Sequence, residues 1–287
     1  MTSLTREDLK TEQPISWCPG CGNFGILRAL QTALVDLKIP REKYLVVTGI
    51  GCHGKLFNYI NINGFHGIHG RVLPFATGAK LANHDLIVLG FAGDGDQYDE
   101  GLGHFPHAAR RNIDVKLFTH DNKVYGLTTG QTSPTSPQGY KSKTSPGGAI
   151  PTPINPLMLA LASNASFVAR GFVGDVTHMK ELMKAAIQHK GFALVDILQV
   201  CITFNRAQTY QFYRDRVYKL EEENHDATDL QQALKRSRET GDRIPIGIFY
   251  QEERPVYRAR LPQIKTQPLI KQPIKPTKLK QLLREFT

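Results

Sequence analysis

The chain has 287 residues, 36 Lys plus Arg against 26 Asp plus Glu, and a formal net charge of +10 at pH 7, so its expected partners are acidic or anionic. With 40% apolar and 22% charged residues, 25 Gly and 17 Pro, it is globular in usage, which excludes a collagen-like, coiled-coil or wholly disordered chain. Its length allows one large α/β unit or a unit with an appendage.

No run of about 18 apolar residues occurs, and residues 1–13 carry no hydrophobic signal core, so a cytoplasmic protein without a membrane partner is expected. Four cysteines are too few for a disulfide scaffold, and in a reducing compartment any cluster of them points to metal or redox work.

The chain opens on Trp17-Cys18-Pro19-Gly20-Cys21, whose Pro and Gly let the backbone turn and aim both sulfurs at one point. A helical pattern over 22–37 leads to a strand at 44–48, followed at once by Gly49-Ile50-Gly51-Cys52-His53-Gly54 and Lys55. A second helix is predicted over 75–82 and a second strand over 86–91. Gly93-Asp94-Gly95-Asp96 follows that strand. A helix over 99–110, a strand over 114–119 and Asn122 come next.

Residues 128–156 are dominated by Thr, Ser, Gly and Pro and read as one long loop, a length that is usually functional or disordered. Helices over 156–162 and 176–188 flank a strand at 166–170, and a strand at 193–197 is followed by Cys201. After a strand-like stretch at 245–250, the tail from Pro255 carries eight Lys or Arg and one Glu, and is too punctuated by proline to fold alone. Alternation of this kind implies a doubly wound, mostly parallel α/β sheet whose ligands gather beyond the carboxyl ends of the strands. The expected division is 1–254 as a cofactor-binding domain and 255–287 as an extended basic tail whose aliphatics, among them Ile264, Ile274, Leu279 and Leu282, dock on a partner.

The cysteines sit where strand ends can bring them together. Cys18 and Cys21 alone read as a redox dithiol or half a zinc site, and Cys201 alone as a small buried hydrophobe. Intervals of 30 and 148 residues separate Cys21, Cys52 and Cys201; they disfavour a zinc ribbon, which needs two close pairs, and suit an iron–sulfur cluster. Asp94 and Asn122, from adjacent strand ends, can grip one face of a Mg²⁺ whose other ligands are phosphate oxygens, because this hard ion prefers oxygen donors. Lys55, in an otherwise neutral Gly-rich loop, is read either as a contact for an anionic substrate or as a solvated surface lysine.

The stretch Gly93-Asp94-Gly95 through Asn122 resembles the thiamine diphosphate motif. Together with Cys18-Pro19-Gly20-Cys21, Gly49-Ile50-Gly51-Cys52, His69-Gly70-Arg71 and the run from Asn122 to Gln131, the chain resembles the β subunit of a 2-oxoacid:ferredoxin oxidoreductase from about residue 14 to 250. Residues 203–206 and 242–247 look like the 2-oxoglutarate-acting members.

The resemblance implies a sheet of the thiamine-diphosphate-binding type, with one 4Fe-4S cluster on Cys18, Cys21, Cys52 and Cys201, and Mg²⁺ on Asp94, Asn122 and the carbonyl of Val124. It places Ile50, Gly51, Cys52, His53, His69, Gly95, Asp96, Gly126 and Leu127 around the cofactor, with Lys55 and Leu127 on the substrate side. The implied reaction converts a 2-oxoacid and coenzyme A to acyl-CoA and CO₂, with electrons passing to ferredoxin. The glutamate facing the aminopyrimidine has no match here; the resemblance assigns it, with the coenzyme A site, to an α subunit in an (αβ)₂ assembly. The competing readings are a half of a non-redox thiamine lyase or transferase, and a nucleic-acid-binding protein for which the basic tail is the only support.

Overall fold

The computed structural model describes residues 4–273 together with 283 and 284. Among the described residues ten strands fall at Tyr44–Thr48 (β1), Asn63–His66 (β2), Ile87–Gly93 (β3), Val115–Asp121 (β4), Val124–Tyr125 (β5), Gln131–Thr132 (β6), Phe167–Phe172 (β7), Ala193–Leu198 (β8), Val217–Lys219 (β9) and Ile244–Gln251 (β10). The α-helices are Asn23–Leu37 (α1), Val72–Ala82 (α2), Phe105–Arg111 (α3), Pro156–Ala162 (α4), Val176–Gln188 (α5), Tyr210–Arg214 (α6) and Leu230–Ser237 (α7).

Eight strands make one sheet in the order β2-β1-β3-β4-β8-β7-β10-β9. Pairing is parallel except between β10 and β7, so the doubly wound reading holds, with a reversed edge formed by β10 and β9. The strand interiors are buried on both faces, as parallel strands covered by helices must be. Alternate residues divide between two cores: Val46, Phe118 and Val195 pack under α1 and α5, while Val47, Leu117 and Leu194 pack under α2, α3 and α4.

Several helix boundaries follow from local chemistry. α4 begins where Asn155 Oδ1 accepts from the backbone N–H groups of Leu157 and Met158, with Pro156 in the first turn. Asp175 caps α5 by accepting from His178 N at 2.9 Å. The helix predicted over 99–110 is instead a π-helical turn at Asp96–Glu100, a tight turn at Leu102–His104 and then α3. Gly101 and Gly103 break the regular ladder there, and a π turn of this sort is common beside functional sites.

Residues 128–156 are ordered by β5 and β6, which form a short antiparallel pair, and by Tyr140, whose hydroxyl donates to Phe204 O at 2.8 Å. The first half of the tail lies against its own domain: Tyr257 N donates to Asn112 O, Lys271 pairs with Asp85 at 2.6 Å, and Ile264 is buried within the chain rather than on a partner. Ile274, Leu279 and Leu282 lie outside the described residues. Among the described residues no helix is long and apolar enough to cross a membrane.

Candidate active site

The carboxyl ends of β1, β3 and β4 converge on one cavity of about 70 Å³. Ile50, Gly51, Cys52 and His53 reach it from the loop after β1, Asp94, Gly95 and Asp96 from the end of β3, and Asn122, Val124, Gly126 and Leu127 from beyond β4. His69 lines it from the loop that precedes α2. Every residue expected around the cofactor or the magnesium ion therefore borders this one space.

Both oxygens of the Asp96 carboxylate have partners within the protein. Its carboxylate accepts from Gly70 N at 2.7 Å and from Ile50 N at 3.4 Å, lies 3.2 Å from His53 Nε2, and lies 3.0 Å from His69 Nδ1. Burial opposes ionisation of Asp96, but the hydrogen bonds to His53 and His69 win and hold its carboxyl well below the ordinary range. The same carboxylate explains Gly49: a Cβ there would stand 2.0 Å from Asp96 Oδ2, so only glycine fits. Asp96 thus ties the loop after β1 to the loop before α2 and orients the two histidines. His69 in return is raised above its ordinary value, chiefly by its bond to Asp96.

Asp94 behaves in the opposite way. Ser133 Oγ and Thr135 Oγ1 both donate to its Oδ2 at 2.5 Å, and Thr135 Oγ1 also lies 2.8 Å from Asp121 Oδ1. Burial, reinforced by the charge of Asp121, pushes the Asp94 carboxyl up to about 7. Lys123 pairs with Asp121 and only partly offsets that charge. Two buried carboxylates sharing one hydroxyl proton call for an added proton or a cation, and a hard cation on Asp94 suits this donor set. Asn122 Oδ1 accepts from Val124 N at 3.0 Å, which folds the Asn122 side chain and the Val124 backbone into one tight turn beside it.

Ser133, Thr135, Asp121 and His120 were not singled out from the sequence. His120 Nδ1 lies 2.8 Å from Asn23 Oδ1, which leaves the buried Nε2 without a hydrogen-bond partner at the cavity wall. Burial and the neighbouring His53 hold this imidazole far below its usual range, hence neutral. The only forewarning of Ser133 and Thr135 was their place in a long polar loop, since hydroxyl residues in such loops are ordinarily read as solvated.

A second cavity, of about 160 Å³, is lined by Cys18, Cys21, Cys52 and Cys201. The loop bearing the first two is tied to the end of β8 by Gly22 N donating to Val200 O at 3.0 Å, and Trp17 Nε1 donates to Cys52 O at 2.7 Å. Burial first, and then the charges of the other three sulfurs, push the Cys21 thiol up to about 12. Among the described residues no three His, Cys, Asp or Glu are gathered closely enough for a single metal ion. Four sulfurs spaced around a cavity, with Cys21 and Cys52 both held up by burial and by neighbouring sulfurs, fit a multi-iron cationic cluster better than one tetrahedral zinc.

The two cavities share a wall. Cys52, Asn122, Gly126 and Leu127 line both, and a Cβ on Gly126 would lie 3.7 Å from the sulfurs of Cys52 and Cys201 alike. Lys55 borders the cysteine cavity, where its Nζ donates to Ser16 Oγ at 2.8 Å. Leu127 is 46% exposed at the joint mouth. His66 Nδ1 lies 2.8 Å from Thr48 Oγ1 and its ring stacks on Phe57.

Comparison with known proteins gives this arrangement its context. Residues 49–197 match the thiamine pyrophosphate enzyme, C-terminal TPP binding domain, and residues 201–266 match the C-terminal family of the pyruvate ferredoxin oxidoreductase beta subunit. A Sulfolobus 2-oxoacid:ferredoxin oxidoreductase subunit beta is 48% identical over 266 residues, covering 88% of this chain and 87% of that protein. The 2-oxoglutarate synthase subunit KorB of Archaeoglobus fulgidus is 43% identical over 69% of this chain and 74% of its own length. The solved 2-oxoglutarate:ferredoxin oxidoreductase of Magnetococcus marinus, with 2-oxoglutarate, coenzyme A and succinyl-CoA bound, superposes with a TM-score of 0.89 at 40% identity, over 92% of this chain and 91% of that one. A thiamine-binding sheet end to end with this sequence kinship leaves one conclusion: the chain belongs to the β subunits of the 2-oxoacid:ferredoxin oxidoreductases.

Proposed function

We propose that this chain holds magnesium thiamine diphosphate in the first cavity and one 4Fe-4S cluster in the second, and that its 2-oxoacid is 2-oxoglutarate. The observation that carries the reading is the shared wall, because Cys52 borders both spaces and would bring the two groups into near contact. In this reading Asp94, Asn122 and the Val124 carbonyl hold the metal, and the glycines at 51, 95 and 126 let the backbone approach the diphosphate. When bound, thiamine diphosphate supplies the carbon nucleophile and the electron sink for decarboxylation.

The chain's own side chains do the rest. Asp96 fixes the orientation of His53 and His69 at the cavity wall. Ser133 and Thr135 hold one oxygen of Asp94. Leu127 screens the mouth from water, and Lys55 offers a cation to a substrate carboxylate. An α subunit completes the site with the pyrimidine-side glutamate and the coenzyme A pocket in an (αβ)₂ assembly, and ferredoxin takes the electrons. The 2-oxoglutarate assignment draws support from the A. fulgidus and M. marinus proteins, while the Sulfolobus relative is named only for 2-oxoacids.

The αβ complex purified without oxygen is expected to show a broad absorbance near ~400 nm that dithionite bleaches. It is further expected to have a higher kcat/KM for 2-oxoglutarate than for pyruvate. A colourless, iron-free complex would leave the non-redox thiamine reading standing.

A further inference from the structure

Cys18 is the most exposed of the four cysteines, and the turn formed by Cys18, Pro19 and Gly20 faces solvent. Two large apolar side chains flank it without cover, Phe24 at 38% and Ile202 at 40% exposure, and Ile15, three residues before Cys18 in the chain, is 41% exposed. Phe24 and Ile202 adjoin the turn from two sides. The edge of Trp17 meets Phe24 at 5.4 Å between ring centres, and Ile202 Cδ1 lies 3.5 Å from where a Cβ on Gly20 would stand.

Cations rim this patch. Arg28 lies one helical turn beyond Phe24 on the same face of α1. Arg206 follows Asn205, whose N–H donates to Cys201 O at 3.0 Å. The Arg214 guanidinium lies 5.8 Å from the ring centre of Tyr210, whose hydroxyl donates to Gly20 O at 3.2 Å. All three arginines are exposed, and none forms an ion pair among the described residues. Asp215, the acidic neighbour of Arg214, is held instead by Gln211 Nε2 at 2.6 Å.

We propose that this patch is the docking surface for the electron acceptor, a small acidic iron–sulfur protein of the ferredoxin kind, seated on the Cys18–Gly20 turn. The inference rests on the cluster reading above. An apolar centre with a charged rim is the anatomy of a transient protein interface, and a cationic rim speeds the encounter with an acidic partner. A ferredoxin seated there has only the Cys18 turn between it and the thiolate-bound iron. Each docking moves one electron from the reduced centre of this chain to an oxidised ferredoxin, and two dockings clear the pair released by one 2-oxoacid.

The test uses the αβ holoenzyme with its cluster in place and an oxidised acidic ferredoxin. The triple variant R28E/R206E/R214E is expected to raise the Kd for that ferredoxin at least about tenfold at low salt. It should also flatten the dependence of Kd on ionic strength. Reduction of the enzyme's own chromophore by 2-oxoacid and coenzyme A, with no acceptor added, should proceed as in the wild type. An unchanged ferredoxin Kd in a variant that still binds its α subunit overturns the docking surface alone. A variant that no longer copurifies with the α subunit overturns it too, since the patch would then be the subunit interface. A wild-type complex without iron overturns both this inference and the cluster reading beneath it.

Discussion

The hydroxyl of Thr135 stands 2.5 Å from Oδ2 of Asp94, a residue 41 positions earlier in the chain, and joins the polar loop after β6 to the carboxylate at the end of β3. The same hydroxyl lies 2.8 Å from Asp121. The loop therefore packs behind Asp94 and supports its carboxylate rather than serving only as a connection. Replacing Thr135 by Val removes the donor while keeping the shape, and the affinity of the αβ complex for magnesium thiamine diphosphate should fall roughly tenfold, the worth of one hydrogen bond to a charged group. Thr135→Ser should restore most of it. Titration calorimetry reads both; equal affinities in all three proteins would detach the loop from the site.

Asp94 makes the apoprotein sensitive to pH. Its folded value of about 7 lies above the ordinary 3.8, so the folded state binds the proton more tightly than the unfolded state does. The associated stability is present below about pH 4 and is lost as pH rises through 7. Asp94→Asn should therefore be more stable than the wild type at pH 8 without cofactor, by at least ~2–4 °C in Tm, which is about 1 kcal/mol for a chain of this size. The order should reverse when magnesium and thiamine diphosphate are added, because only the wild type gains from them. Thermal unfolding at pH 5 and pH 8 checks this; a pH-independent gap would refute it.

Asp96 carries the opposite expectation. Its carboxylate holds Ile50, His53, Gly70 and His69, so Asp96→Asn breaks at least two charge-assisted bonds and should cost about 1.5–3 kcal/mol or more with or without cofactor. Denaturant unfolding of the apoprotein is the measurement. A loss seen only in the cofactor-bound form would mean that Asp96 acts on the ligand and not on the loops.

Replacing Cys201 by Ser should lower bound iron and sulfide well below the wild-type content, because a serine oxygen is a poorer ligand for iron than a thiolate. The sheet should persist, since Cys201 lies beyond the end of β8 and is only partly buried. Iron analysis alongside far-ultraviolet circular dichroism separates the two effects.

Much of this molecule is legible in its sequence, for identifiable reasons. β1, α4 and α5 fall where the apolar runs put them, and the structure adds Asn155 and Asp175 as the caps that start the two helices. The cysteines and the Gly93–Asp96 motif are legible because few structures need those residues at those intervals. β2 escaped notice because Asn63-Gly64-Phe65-His66 is an exposed edge strand with no apolar alternation to betray it. Asp96 could be assigned to the site from its motif but not to its partners, since the four donors it serves come from loops whose meeting is a tertiary fact. Ser133 and Thr135 were hidden for the same reason: nothing local distinguishes a hydroxyl folded back on a carboxylate from one in water.

The position of β8 also governs how the four sulfurs come together. That strand is interior to the sheet, hydrogen-bonded to β4 on one side and β7 on the other, and Cys201 is carried just past its end. The loop of Cys18 and Cys21 is fastened to the same strand end through Val200. The complete set of four sulfurs stands together only once β8 is in the sheet, so in the cluster reading proposed above iron would be taken up by a chain whose sheet has already closed.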